Sequence, residues 1–223
     1  MSGRMRSIQS LYRQRDSEQQ LNIKDYRMSR EKGKLTTADY LSIEDFNRLV
    51  EGLHSDGLYM WELYCRLSFC TALRASDVLS LTWNNILDKE FLDKIEKKTS
   101  KARRITFNDS VRQKIKELYT LQGEPDKKGS PFLNPQTQTA YSLEHINRLL
   151  KRFKVRYRLP IKAFSTHTFR KTFGRYVYES NGRSAESLIL LNSIFRHSSI
   201  DITKVYIGLR QAEIDQVYKS IKF

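Results

Sequence analysis

From residue 40 onward, apolar residues recur at helical spacing. Phe46, Leu49, Val50 and Leu53 fall at i, i+3, i+4 and i+7. Ser42 precedes them as an N-cap candidate, with the acidic Asp45 three residues later. The same pattern predicts a second helix over about 58–72 and a third over about 76–83. Between residues 84 and 109 the character changes. Phe91, Leu92 and Ile95, a basic turn, then Ile105 and Phe107 predict a β-hairpin or short sheet. Helical periodicity returns over about 110–121, 142–157, 166–180, 184–195 and 212–221. Residues 123–140 hold three of the four prolines and read as loop. The expected fold class is therefore mainly α with a small antiparallel β-sheet (α+β). Residues 1–38 are polar and basic with weak periodicity. They read as a tail or linker, partly helical around Leu11 to Ile23, ahead of a folded region 39–223 that ends in a helix over 212–223.

Composition narrows the class. The 223 residues, 39% hydrophobic and 29% charged with 9 Gly and 4 Pro, can bury a core and do not resemble a collagen-like or wholly disordered chain. No apolar run approaches the roughly 20 residues of a membrane span, and the N-terminus lacks the apolar stretch of a secretory signal. Cys65 and Cys70 lie five apart in one apolar stretch and are expected to face the interior as small hydrophobes. No Cys/His cluster has zinc spacing, so no metal site is expected from these residues. A reducing, cytoplasmic setting fits.

Charge changes the picture most. Lys plus Arg is 40 against 25 for Asp plus Glu, a net +15. Such an excess favours a polyanionic partner, nucleic acid first and an anionic membrane second. Two runs concentrate it. Residues 94–104 carry six cations against one acid, among them Lys97, Lys98, Lys101 and Arg103. The stretch from Arg148 to Arg158, with Lys151, Arg152 and Arg156, has no acid. Together the runs predict a surface that tracks phosphates on double-stranded DNA.

Four segments carry the chemistry. They are Thr71 to Asp77 around Arg74, Lys97-Lys98-Thr99, His167-Thr168-Phe169-Arg170, and Arg196-His197-Ser198-Ser199 followed by Tyr206. Together they supply what a metal-free phosphodiester site needs. Two arginines can grip non-bridging oxygens and match charge that builds in the transition state. A lysine can protonate a leaving 5′ oxygen, and histidines can bond the phosphate or move protons. A tyrosine can be the covalent nucleophile, given an electropositive site to offset a pKa near 10. His167 and Arg170, three apart in a predicted helix, share one face. Arg74 is expected to close the second helix. Lys98 is expected in the hairpin turn, and Tyr206, nine residues after His197, beyond a short connecting turn.

This ordered set resembles the tyrosine recombinases, the phage integrase family. Thr71 to Trp83 looks like the family's first arginine box, and residues 167–170 like its second. Ile194 to Tyr206 looks like the Leu-Gly-His-Ser-Ser box that leads to the nucleophile, and Lys98 like the lysine of the family's β-hairpin. The resemblance covers roughly residues 40–223. It implies a catalytic domain in which Arg74, Lys98, His167, Arg170, His197 and Tyr206 form the catalytic set. Lys97, Lys101, Arg103, Lys151, Arg152, Arg156 and Lys171 are the expected DNA contacts, and Asp77 the acid that orients Arg74.

The sequence departs from the family pattern in places. Ala72 and Arg196 stand where glycine is usual, Asp77 where glutamate is commoner, and Lys171 where histidine is frequent. Lys97 and Lys101 share the turn with Lys98, so the general acid could be any of the three, with Lys98 before Thr99 the best match. The stretch before residue 40 is too short for the helical clamp domain of most members. The resemblance is thus to short members, such as fimbrial phase-variation invertases, or to a piece of a longer one.

The implied activity is site-specific cutting and rejoining of DNA through a 3′-phosphotyrosyl link, with no cofactor. It also implies a monomer in solution and a tetramer on paired DNA sites. The alternatives are a type IB topoisomerase-like enzyme and a non-catalytic DNA-binding protein on the same fold. The stripe Ile214, Val217, Tyr218 and Ile221 on the last helix either packs on its own domain or docks on a neighbouring protomer.

Overall fold

The computed structural model describes residues 38–98, 100–134 and 136–222. The reading of residues 1–38 as a tail lies outside these, save for its last residue.

Helix α1 (Ile43–Ser55) begins where the Ser42 hydroxyl accepts from the Asp45 amide at 3.1 Å, and it buries Phe46, Leu49, Val50 and Leu53. Helix α2 (Tyr59–Thr71) is apolar on nearly every side and is buried through Trp61, Leu63, Tyr64, Cys65 and Leu67. That is the pattern of a central helix. It packs against α1, α5 (Asp109–Leu121) and α7 (Thr166–Ser180). Cys65 is buried and Cys70 partly so, both are free thiols, and burial pushes both pKa values up.

The segment expected as one third helix is two short ones, α3 (Ala75–Val78) and α4 (Trp83–Ile86). Leu81, 0% exposed, seals the break between them, and Thr82 and Asn85 form a capping box for α4. The hairpin is narrower than the sequence suggested. Strand β1 (Phe91–Ile95) pairs antiparallel with β2 (Ala102–Thr106), in the register Phe91↔Thr106 to Ile95↔Ala102. Strand side chains alternate between faces. Leu92 and Ile105 point inward, while Phe91 and Ile95 are exposed.

Asn108 caps α5 and Ser142 caps α6 (Leu143–Arg156). The expected loop runs between them, with one isolated bridge, Leu133↔Ala140. Ser165 opens α7 with a capping box to Thr168, and Ser184 caps α8 (Ala185–Phe195). The turn expected before Tyr206 is instead a helix, α9 (Ile200–Tyr206), capped by Ser199. Helix α10 (Leu209–Ser220) starts three residues earlier than the periodicity indicated.

Apolar side chains gather in two clusters. The larger unites α1 to α7 and the hairpin base. The smaller holds Ala72, Tyr178, Leu188, Leu191, Phe195, Ile207 and Leu209, with Tyr206 packed against it. Gly174 lets α7 approach this cluster. A Cβ there would stand 2.6 Å from Ile207 Cγ2 and 2.8 Å from Phe195 Cζ. Among the described residues, no helix is long and apolar enough to cross a membrane.

Candidate active site

The site forms where chain breaks turn side chains toward one place. Helix α2 stops at Ala72, whose φ of 49° is left-handed, and residue 74 then lies in extended backbone. Arg74 therefore does not close α2; it occupies the N-cap position of α3. Helix α8 stops in the same way at Arg196, φ 54°. These are the two positions where the sequence has Ala and Arg in place of the usual glycine, and both require the conformation glycine favours. Each non-glycine residue held there costs on the order of 1 kcal/mol. The Arg196 side chain gives something back, since its Nη2 donates to the Ala102 carbonyl and ties the end of α8 to the hairpin.

Arg170 is the pivot. It is 4% exposed, in the middle of α7. Its Nη1 donates to the Ala72 carbonyl and its Nη2 to the Phe195 carbonyl at 2.8 Å, so one guanidinium clamps both helix-ending turns. It also stacks on the Phe195 ring, with Cζ 4.6 Å from the centroid. Burial pushes its pKa down to about 10, so it stays charged at neutral pH.

The two histidines are neutral partners of these cations. His197 Nδ1 lies 3.0 Å from Thr203 Oγ1, and that hydroxyl donates to Asn192 Oδ1 at 3.0 Å. With its proton on Asn192, Thr203 accepts from His197 Nδ1–H, which leaves Nε2 as the free acceptor. Burial, then Arg170 and Arg74, push the His197 pKa down to about 4. His167 stands one turn before Arg170. Desolvation, then Arg170, Lys171, Arg74 and Lys98, hold it below the usual histidine value.

Tyr206 ends α9, its ring 5.1 Å from that of His197 and 5.4 Å from that of Phe195. Its hydroxyl is buried, with no geometrically formed hydrogen bond among the described residues; burial raises its pKa, while Arg170 and Arg74 beside it pull the other way. A buried hydroxyl beside two guanidinium groups lies in an electropositive setting.

The structure brings Arg74, His167, Arg170, His197 and Tyr206 into one electropositive site. Lys98 sits in the exposed hairpin turn with Lys97 and is close enough to His167 to depress its pKa. Other expected residues are placed differently. Asp77 is fully buried and accepts from the Lys97 backbone N–H at 2.9 Å, so it anchors the hairpin turn. The carboxylate on Arg74 is Glu96, which accepts from Arg74 Nη1. Arg103 is turned inward, donating to the Thr71 carbonyl at 2.7 Å and lying 3.6 Å from Glu96. Lys171 is buried, its ammonium 5.4 Å from the Tyr206 ring centroid. Lys101, Lys151 and Arg152 are exposed, and Arg156 is exposed but paired with Asp56 at 2.6 Å.

Sequence reading missed Glu96, Asn192 and Thr203. Two of them carried a signal. Glu96 is the lone acid in the run of cations over 94–104, and Asn192 is a polar residue inside the apolar run Leu188 to Phe195. Among the described residues, no group of three or more His, Cys, Asp or Glu side chains could hold a metal ion.

Comparisons with known proteins bear on this geometry. The phage integrase family model matches residues 39–213. The probable integrase/recombinase YoeC of Bacillus subtilis (strain 168) is 34% identical over 151 residues, covering 67% of this chain and 77% of that protein. Among solved structures, XerA recombinase superposes with a TM-score of 0.62 at 19% identity, over 84% of this chain and 68% of that one. A lambda integrase dimer bound to a COC′ core site gives 0.60 at 16% identity, over 89% and 56%. With the ordered boxes converging around Tyr206, these matches settle the classification: the chain belongs to the phage integrase family, the tyrosine-type site-specific recombinases.

Proposed function

We propose that this domain cuts and rejoins double-stranded DNA at specific sites, with Tyr206 as the nucleophile. The observation that carries the reading is the buried Tyr206 hydroxyl, outside any regular hydrogen bond among the described residues and beside Arg170 and Arg74. The lambda integrase relative is bound to a DNA core site, which supports a DNA partner here.

In the proposed reaction, a scissile phosphate enters between Arg74 and Arg170, whose N–H groups pair with its non-bridging oxygens. His197, its ring held by Thr203 and Asn192, presents Nε2 to the phosphate and bonds it once Nε2 takes up a proton, which the bound anion favours. The Tyr206 oxygen attacks phosphorus and the bond to the 5′ oxygen breaks. Lys98 supplies the proton that the leaving oxygen needs. Neutral His167 assists at the phosphate or takes the phenolic proton. The products are a 3′-phosphotyrosyl link and a 5′ hydroxyl. Attack by a 5′ hydroxyl from a partner duplex reverses the step and exchanges strands, with the energy of the broken bond kept in the tyrosyl ester.

Exposed Lys97, Lys101, Lys151 and Arg152 are the candidate backbone contacts. Arg103 and Lys171 act from beneath the site. Assembly is proposed to pass from a monomer in solution to a tetramer on paired sites, in a cytoplasmic setting. Val217, Tyr218 and Ile221 are 63%, 72% and 53% exposed, which supports docking of α10 on a neighbouring protomer. The side chain of Ile214 lies outside the described residues.

The test is strand exchange between two duplexes carrying sites selected from a DNA library, in EDTA. Exchange of flanking arms is expected, together with its loss, but not loss of single-site binding, on deletion of residues 212–223. Relaxation of supercoils without exchange would favour a topoisomerase, and binding without cleavage a non-catalytic protein.

A further inference from the structure

Glu96 is the residue that neither the motif set nor the reaction above employs. It lies at the start of the hairpin turn, just past the last residue of β1, and its side chain is 0% exposed. A fully buried carboxylate is costly unless cations and donors compensate it. Two arginines do so here. Arg74 donates from Nη1 to one carboxylate oxygen, and Arg103 Nη1 lies 3.6 Å from the other. These cations, with Arg170, hold the Glu96 carboxyl below the usual range despite its burial. Arg103 is itself fixed by its bond to the Thr71 carbonyl, at the end of α2. Glu96 thus joins the hairpin to the end of the central helix, two residues before Lys98.

We propose that Glu96 is the positioning residue for Arg74. It grips one edge of the guanidinium so that the remaining N–H groups face the phosphate. The inference rests on the assignment of Arg74 to the scissile phosphate. The guanidinium is planar and offers five donors in a fixed fork. One edge bonded to a buried carboxylate sets the plane of the whole group, while an unbonded arginine in the extended backbone ahead of a four-residue helix would sample many rotamers. The orientation Asp77 was expected to supply comes from Glu96, because Asp77 is taken up by the Lys97 amide. The two acids divide the work: Asp77 holds the turn backbone, and Glu96 holds the arginine.

The test compares Glu96→Gln in two backgrounds, Arg74 and Arg74→Lys. It measures DNA affinity, single-turnover cleavage at saturating DNA, and thermal stability. In the Arg74 protein, Glu96→Gln should slow cleavage about tenfold or more, as misplacement of a stabilising group does, with affinity changed less than twofold. In the Arg74→Lys protein the same substitution should cost less than twofold, because an ammonium has no plane to set. Glu96→Asp, which keeps the charge but shortens the reach, should fall between; it replaces Glu96→Gln in the comparison if that variant does not fold. Equal slowing in both backgrounds would mean that Glu96 serves only the fold, and unchanged or faster cleavage at saturation would also overturn the proposal. Failure of the unsubstituted protein to cleave would instead overturn the phosphate assignment on which it rests.

Discussion

At the residue scale, burial and neighbouring cations act together on the groups of the site. His197 is the sharpest case. Its Nδ1–H is committed to Thr203, and burial with two nearby guanidinium groups pushes its pKa to about 4. The unfolded chain binds this proton near the ordinary pKa of about 6.5. Folded stability therefore falls as pH drops from about 6.5 toward 4, and His197 contributes no further loss below that. In the free protein, the His197 ring resonances should show no titration between pH 5.5 and 8, a range in which an ordinary histidine changes charge. A midpoint near 6.5 by NMR would show that Arg170 and Arg74 do not act on the ring as described. The candidate side chains that the fold brings together were legible in the sequence, because each box places a reactive residue type at a fixed offset. Their supporting groups were not. Glu96, Thr203 and Asn192 come from separate elements, and no spacing rule links residue 96 to residue 74. Arg103, in a basic run, and Lys171, beside Arg170, read as DNA contacts because a cation looks exposed in sequence; only the fold shows that both are turned inward.

At the element scale, the long amphipathic helices were visible from periodicity and the short ones were not. Helices α1, α5, α6, α7 and α8 each carry an N-cap side chain and a buried face, and the pattern found them. The break between α3 and α4 and the existence of α9 depend on tertiary packing, which overrides local propensity over stretches this short. Placement of α9 decides the chemistry, because it ends in Tyr206. Gly174 is what allows α7 to lie against Phe195 and Ile207, the residues that flank that tyrosine. Gly174→Ala would force a methyl into contacts of 2.6 to 2.9 Å. It should destabilise the protein by about 1–3 kcal/mol, the usual cost of overpacking, and slow cleavage at saturating DNA. Denaturant unfolding and single-turnover kinetics read the two effects separately. An unchanged midpoint would mean that α7 and α9 part without cost.

At the scale of the whole molecule, the net charge of +15 pointed to a polyanion, and among the described residues the fold gives the cations two places. One part is exposed, at the hairpin turn and along α6. The other is gathered inward, where Arg74, Arg103, Arg170 and Lys171 surround Glu96 and Tyr206. Tyr206 packs against the small apolar cluster, and the arginines supply the electropositive field that the proposed attack requires. The central claim is that this tyrosine, in this field and without a metal ion, becomes covalently joined to DNA. The most direct measurement uses nicked duplexes that trap the cleaved intermediate in EDTA, followed by peptide mapping of the adduct. The account predicts a 3′-phosphotyrosyl peptide containing Tyr206, and no adduct from Tyr206→Phe, which should still bind the same DNA. An adduct formed by Tyr206→Phe, or one mapped to Tyr218, would contradict it.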